Sequence, residues 1–182
     1  NLKATRVTPT IFELFVKSTC NLMCTYCNTR DSSKIRAEVR RFGEITYPDG
    51  TQPNRMYNWT DHPKTEEYFE KSLNYLEKNG NGLKRFHLLG GEPLLMKETK
   101  EVYKSLAKLK NRNLEFNIIS NLMTKNVEEH IDLIEKLIRD KCIGRFDFTI
   151  SIDNWGPEAE YARYGLKCDH WLKNFDYVVN KK

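Results

Sequence analysis

The stretch GRFDFTISID, Gly144–Asp153, decides the fold. Phe146, Phe148, Ile150 and Ile152 alternate with Asp147, Thr149, Ser151 and Asp153. A period of two predicts a strand, here over 145–152, with one apolar and one polar face. A parallel sheet covered by helices is normally apolar on both faces. A fully polar second face therefore predicts a wet cavity or a site. Leu114–Ser120 has the same character, with Leu114, Phe116 and Ile118 opposite Glu115, Asn117 and, just beyond, Asn121. Two more strands are predicted at Ile11–Lys17 and Lys84–Leu89, where Glu13 and His87 belong to the polar side.

Helical patterns lie between these strands. A short helix is predicted near Ser33–Arg41. Others cover Pro63–Lys78 (Phe69, Leu73, Leu76) and Lys97–Lys110 (Val102, Leu106, Leu109). A further helix follows Asn126, with Glu129 completing a box-like start and Val127, Ile131, Ile134 and Ile138 as its stripe. A last helix follows Lys167, and Asn154–Gly165 reads as irregular. Strand, loop and helix in alternation predict a parallel sheet with helices packed outside. An eight-unit barrel takes ~250 residues, roughly 31 per unit. Four units and an insertion at 30–62, rich in turn residues (Pro48, Asp49, Gly50, Pro53, Asn54), use up the chain. The expectation is one domain over 1–182: an α/β, partial (βα)6 TIM-like barrel whose C-terminal part is missing.

Composition narrows the function classes. The chain has 182 residues, 39% hydrophobic and 30% charged, enough for one soluble domain with a core. No apolar run reaches ~18 residues, so a membrane span is not expected. The chain opens at Asn1 without a signal-peptide pattern and reads as a fragment. Net charge is +5, and Lys97, Lys100, Lys104 and Lys108 are spaced along one helix face. That reads as solvated surface, and no aromatic-plus-basic signature for nucleic acid is present. The five cysteines are odd in number, and three lie within eight residues. This argues against a disulfide framework and for a reducing compartment, the cytoplasm, with a metal or cluster site.

In parallel α/β folds, ligands bind at the carboxyl ends of the strands. There the sequence sets Cys20, Cys24 and Cys27, then Gly90-Gly91-Glu92-Pro93, then Ser120-Asn121, then Ser151 and Asp153. Thiolates suit zinc or iron–sulfur clusters. Structural zinc takes four ligands, and only three are local, with His62 and His87 as candidates for a fourth. Three thiolates on a four-iron cluster leave one iron open. Ordinary structural readings stand beside these. Glu92 reads as a helix-start charge, Ser151 and Asp153 as turn caps, Arg163 as a surface side chain and His87 as a core imidazole. Cys142 and Cys168 read as buried thiols, and Trp59, Trp155 and Trp171 as packing residues.

CNLMCTYC over Cys20–Cys27, GGEP over 90–93, and Ser151-Ile152-Asp153 followed ten residues on by Arg163 occur in that order. Together they resemble the radical S-adenosylmethionine superfamily, from about Thr10 to Tyr164. The Ser-x-Asp and Arg pattern is similar to members carrying SPASM or twitch extensions. The resemblance implies a [4Fe-4S] cluster on Cys20, Cys24 and Cys27, with S-adenosylmethionine chelating the open iron. It implies Glu92 and the Gly90 and Gly91 backbone at the ammonium, Arg163 at the carboxylate and Tyr26 near the adenine. Ser151 and Asp153, with Ser120 or Asn121, would reach the ribose or sulfonium end. The implied reaction is reductive cleavage to a 5′-deoxyadenosyl radical that abstracts hydrogen from a substrate, a peptide or protein in that branch. An external electron donor of flavodoxin or ferredoxin type is also implied. Two alternatives stay open. One is an enzyme like 7-carboxy-7-deazaguanine synthase acting on a small molecule. The other is a non-catalytic metal-binding module, which would have no need of both Glu92 and Arg163.

Overall fold

Phe12, Phe86, Phe116 and Phe146 lie at one level of four neighbouring strands, each in register with the next. Their rings step across the sheet with centroids 5.6, 5.6 and 5.7 Å apart. This row organises the computed structural model, which describes residues 9–44, 46–51 and 60–181. The first half of the chain forms β1 (Ile11–Phe15), β2 (Met23–Cys24), α1 (Ser33–Phe42), α2 (Thr65–Asn79), β3 (Arg85–Leu89) and α3 (Glu98–Leu109). The second half forms β4 (Asn111–Ser120), α4 (Val127–Arg139), β5 (Ile143–Ile150), α5 (Gly156–Ala162), β6 (Arg163–Tyr164) and α6 (Cys168–Asn180).

The fold is α/β. β1, β3, β4 and β5 form a parallel sheet in the order β1-β3-β4-β5, and β2 pairs antiparallel with β6 apart from it. Parallel neighbours need crossovers, which the helices supply. Leu14, Leu88, Ile118 and Phe148 make a second apolar row beside the phenylalanines. Both rows share one core with Leu76 of α2, Val102 and Leu106 of α3, and Val127, Ile131 and Ile134 of α4.

The opposite face carries the polar sets expected from the sequence. Ile11, Arg85, Glu115 and Arg145 share one level, and Glu13, His87, Asn117 and Asp147 share the next. Phe15 with Leu89, and Ile119 with Thr149, lie above them. Among the described residues this face stays open, for Ile11, Phe15 and Ile119 are all exposed. His87 stands on it and is not a core imidazole.

Several boundaries differ from the expectation. β1 stops at Phe15, β4 begins at Asn111 and β5 spans 143–150. The stretch 154–165 is not irregular: it holds α5 and β6. Asn126 makes no side-chain cap on α4, and Glu129 pairs instead with Lys100 of α3. Pro53, Asn54 and Trp59, assigned to the insertion or to packing, lie outside the described residues. No described helix is long and apolar enough to cross a membrane.

One-sided packing makes a direct prediction. Phe116→Ala should cost about 3–5 kcal/mol of unfolding free energy, whereas Ile119→Ala, on the open face, should cost less than about 1 kcal/mol. Denaturant unfolding checks both, and equal losses would contradict a sheet packed on one face.

Candidate active site

Past Phe15 the chain stays extended and runs beside the end of β3. Val16 N–H donates to Leu89 O (3.2 Å), Gly91 N–H to Lys17 O (3.0 Å) and Glu92 N–H to Thr19 O (2.7 Å). This backbone seam lays residues 90–92 against the approach to Cys20. It also explains the glycines. A Cβ on Gly91 would sit 2.6 Å from both Ser18 O and Thr19 O and 2.8 Å from Asp31 O, and one on Gly90 would sit 2.7 Å from Lys17 O. The close approach that requires glycine here is therefore made by the protein's own backbone.

The cysteine loop is anchored on two more sides. Ser32 caps α1 by accepting from Ile35 N–H, and its hydroxyl donates to Leu22 O (2.9 Å). Cys20 N–H donates to Ser33 Oγ (3.1 Å), and Lys34 Nζ to Asn21 O (3.1 Å). On the far side Cys24 pairs with Arg163 through β2 and β6, and Thr25 N–H donates to Ala162 O (2.8 Å). Arg36 of α1 bonds Ser18 and pairs with Asp61 (3.1 Å), tying the end of the insertion to the same loop.

These elements enclose a cavity of about 310 Å³ lined by Cys20, Cys24, Cys27, Tyr26, Gly90, Gly91, Glu92, Ser120, Asn121, Ser151 and Arg163. All the site residues expected from the sequence meet there except Asp153, which adjoins it through Arg163. His62 and His87 do not line it, so neither is placed to complete a zinc site with the three cysteines. A larger cavity of about 550 Å³ lies beside β1, with Leu14, Asp61, Tyr68 and Phe69 in its wall and no cysteine.

Glu92 is 1% exposed. Its Oε1 accepts from Ser120 Oγ (2.8 Å) and Leu94 N–H (3.1 Å), and its Oε2 from Asn121 N–H (2.6 Å). Burial raises its pKa, against these three donors. The structural reading of Glu92 is thus partly true, since it caps the short 3-10 turn at Pro93–Leu95. It also joins the ends of β3 and β4.

Arg163 is buried rather than superficial. Asp153 grips it with two hydrogen bonds, from Nε to Oδ2 (2.7 Å) and from Nη2 to Oδ1 (3.1 Å). Tyr26 O–H also donates to Asp153 Oδ2 (2.8 Å), and its ring lies 5.5 Å from the guanidinium. Asp153 is therefore a positioning residue for Arg163, not a turn cap. Arg163 Nη1 reaches Cys24 Sγ at 4.0 Å, and Asn121 Nδ2 reaches Cys20 Sγ at 3.9 Å.

Burial pushes the Cys20 thiol up to about 11 and raises Cys24 and Cys27 as well, with Arg163 opposing the rise at Cys24. Thiols so placed hold their protons until a metal displaces them. Among the described residues no three His, Cys, Asp or Glu side chains close around one ion. Cysteines of a four-iron cluster bind separate irons and line a cavity rather than meet at a point. The donor set fits such a cluster: three soft ligands, hydrogen-bond donors aimed at two sulfurs, and a buried cation.

The radical SAM superfamily model matches residues 15–178, nearly the whole chain. The chain belongs to the radical SAM superfamily. No curated protein matches it. Enzymes of this superfamily typically use a [4Fe-4S] cluster and S-adenosylmethionine, and the match supports assigning the chain to enzymes with that radical chemistry.

Sequence reasoning missed α5 and β6, which bring Arg163 to Cys24, and the ring contact that pins Tyr26. Cys142 and Cys168 are buried away from the cavity, as expected of structural thiols. Trp171 is buried, while Trp155 stays half-exposed and meets it edge-on.

Two predictions come from this geometry. Gly91→Ala should lower stability by about 1–3 kcal/mol even without cofactor, because backbone must move; unfolding of the cofactor-free chain checks this. Arg163 holds the Asp153 carboxyl below its ordinary 3.8. A carboxyl lowered by folding stabilises fully above its unfolded value and loses that contribution as pH falls through the folded one. The stability gap between the wild type and Asp153→Asn should thus be widest near neutrality and shrink below pH 3.8, in unfolding curves taken across pH.

Proposed function

We propose that this chain is a radical S-adenosylmethionine enzyme of the SPASM/twitch-like branch acting on a peptide or protein, and that its sheet is part of a (βα)6 barrel. The observation that carries the reading is the single cavity shared by three cysteines, a buried carboxylate and a buried guanidinium. When bound, the cluster and S-adenosylmethionine supply one-electron cleavage of the sulfur–C5′ bond, giving methionine and a radical that takes hydrogen from the substrate.

The chain's own residues bind, orient and exclude water. Cys20, Cys24 and Cys27 hold the cluster. Arg163, fixed by Asp153 and Tyr26, presents a cation to the cofactor carboxylate through charge-assisted hydrogen bonds. Glu92, fixed by Ser120, Asn121 and Leu94, presents an anion to its ammonium. Ser151 and the Tyr26 ring lie on the side assigned to ribose and adenine. Asn121 donates towards the Cys20 sulfur that would hold the cluster, a contact that would tune its reduction potential. The reading asks for a reducing, cytoplasmic setting and an external one-electron donor of flavodoxin or ferredoxin type.

The test is product formation. The chain reconstituted anaerobically with iron and sulfide, then reduced with dithionite, should convert S-adenosylmethionine to 5′-deoxyadenosine. Replacing any one of Cys20, Cys24 or Cys27 by Ala should abolish both the visible cluster absorbance and the product. Arg163→Lys should keep the absorbance and weaken cofactor binding about tenfold or more, since an ammonium does not reproduce the guanidinium fork. Product formation that survives loss of all three cysteines would refute the reading.

A further inference from the structure

We propose that Asn174 of α6 is a positioning residue of the site. Its side-chain amide locks residues 120–124 so that Asn121 holds Glu92 and faces the Cys20 sulfur. The proposal rests on the radical-enzyme reading for the group that Cys20 would hold, and it adds what keeps that group's hydrogen-bond partner in place.

A segment between elements usually runs over the surface, where water satisfies its backbone. Here Ser120, at the end of β4, and Asn121, Leu122, Met123 and Thr124 after it are all buried. Leu122 also has a φ of 58°, a left-handed conformation that leucine rarely adopts. Such a loop persists only where its polar groups find partners and its neighbours over-determine its shape.

The partners are side chains. Leu122 N–H donates to Ser120 Oγ (3.0 Å) and Met123 N–H to Asn121 Oδ1 (2.8 Å). The next three carbonyls all take amide donors. Asn174 Nδ2 donates to Leu122 O (2.6 Å) and Thr124 O (3.0 Å), and Asn21 Nδ2 donates to Met123 O (2.6 Å). Two carbonyls facing one end of the Asn174 side chain fix that end as its NH2 group.

The two asparagines anchor different things. Asn21 follows Cys20 on the cysteine loop, and its Oδ1 accepts from Asn121 Nδ2 (3.2 Å). It ties the two loops to each other. Asn174 lies 52 residues beyond Leu122 and ties them to the body of the fold. α6 buries Cys168, Trp171 and Asn174 at intervals of three. A packing helix carries apolar residues on such a stripe, and asparagine is a weak helix former that is costly to bury unpaired. Packing alone gives no reason for an amide at 174; the two carbonyls do.

The consequence reaches the chemistry. With the loop fixed, Asn121 N–H meets Glu92 Oε2 (2.6 Å), and Asn121 Nδ2 lies 3.9 Å from Cys20 Sγ. Without Asn174, Leu122 relaxes from its left-handed conformation and Asn121 turns away from both. A donor at a cluster sulfur stabilises the negative charge that reduction adds, so its loss lowers the reduction potential.

The test compares the wild type with Asn174→Leu, which keeps the size and removes the donor, and with Cys168→Ala on the same buried stripe. The first readout is amide hydrogen exchange by nuclear magnetic resonance on the cofactor-free chains. Asn121, Leu122 and Met123 should exchange about tenfold or more faster in Asn174→Leu, while Ile134 on α4 keeps its rate. The second is the midpoint potential of the reconstituted cluster, titrated under electron paramagnetic resonance. It should become more negative in Asn174→Leu and stay at the wild-type value in Cys168→Ala. If Asn174→Leu does not fold, Asn174→Ser, which keeps a donor for one carbonyl, should shift both readouts the same way by less. Unchanged exchange at the three loop amides, an unchanged potential, or an equal shift in Cys168→Ala would overturn the proposal. A wild-type chain that takes up no cluster removes the radical reading alone, and the exchange comparison then decides the role of Asn174 by itself.

Discussion

The phenylalanine row of Phe12, Phe86, Phe116 and Phe146 is the constraint on which the rest depends. A strand repeats every two residues, so a slip of one would turn each buried ring to the open face and each polar residue into the core. Four large rings in contact, two of them fully buried, make that slip costly on every strand at once. Locking the register also levels the strand ends. Because Phe86 pairs with Phe12 and Phe116, the Gly-Gly-Glu turn arrives beside the cysteine loop on one side and Ser120-Asn121 on the other. The chemistry at the rim follows from packing on the opposite face.

The site itself consists of charges already held in place. Glu92 is buried but accepts from three donors, and Arg163 is buried but held by a two-point carboxylate. Burying either without partners would cost several kcal/mol. The partners lower that cost and fix each group before any ligand binds, so orientation is settled by the fold. The same residues tie β3 to β4 and α5 to β2, so the site and the local structure share their interactions.

Much of this was legible in the sequence because its signals are local or strictly periodic. The alternation in GRFDFTISID revealed a sheet with one open, polar face, and the cysteine spacing together with the Gly-Gly-Glu turn pointed to the superfamily. What stayed hidden is non-local. The two-residue strands Met23–Cys24 and Arg163–Tyr164 are too short to show a period, so a superficial Arg163 stood open beside its assignment to the cofactor carboxylate. Asp153 was assigned to the cofactor, with a turn cap as the alternative, and its grip on Arg163 went unseen because that partner lies across a helix of seven residues that Pro157 and Gly156 disguise as loop. The glycines at 90 and 91 carried no sign that the Lys17, Ser18, Thr19 and Asp31 carbonyls stand where a Cβ would lie, because those carbonyls come from a distant part of the chain. Asn126 and Glu129 matched a capping pattern, but Lys100 of the neighbouring helix competes for the glutamate.

The central claim is that the cavity bounded by Cys20, Glu92 and Arg163 holds a cluster with an iron open to S-adenosylmethionine. The most direct measurement is the electron paramagnetic resonance spectrum of the reduced, reconstituted chain before and after that cofactor is added. A reduced four-iron signal whose shape changes on addition is predicted, because the cofactor binds the cluster itself. A cluster signal indifferent to S-adenosylmethionine, or a colourless protein that binds zinc in its place, would contradict it.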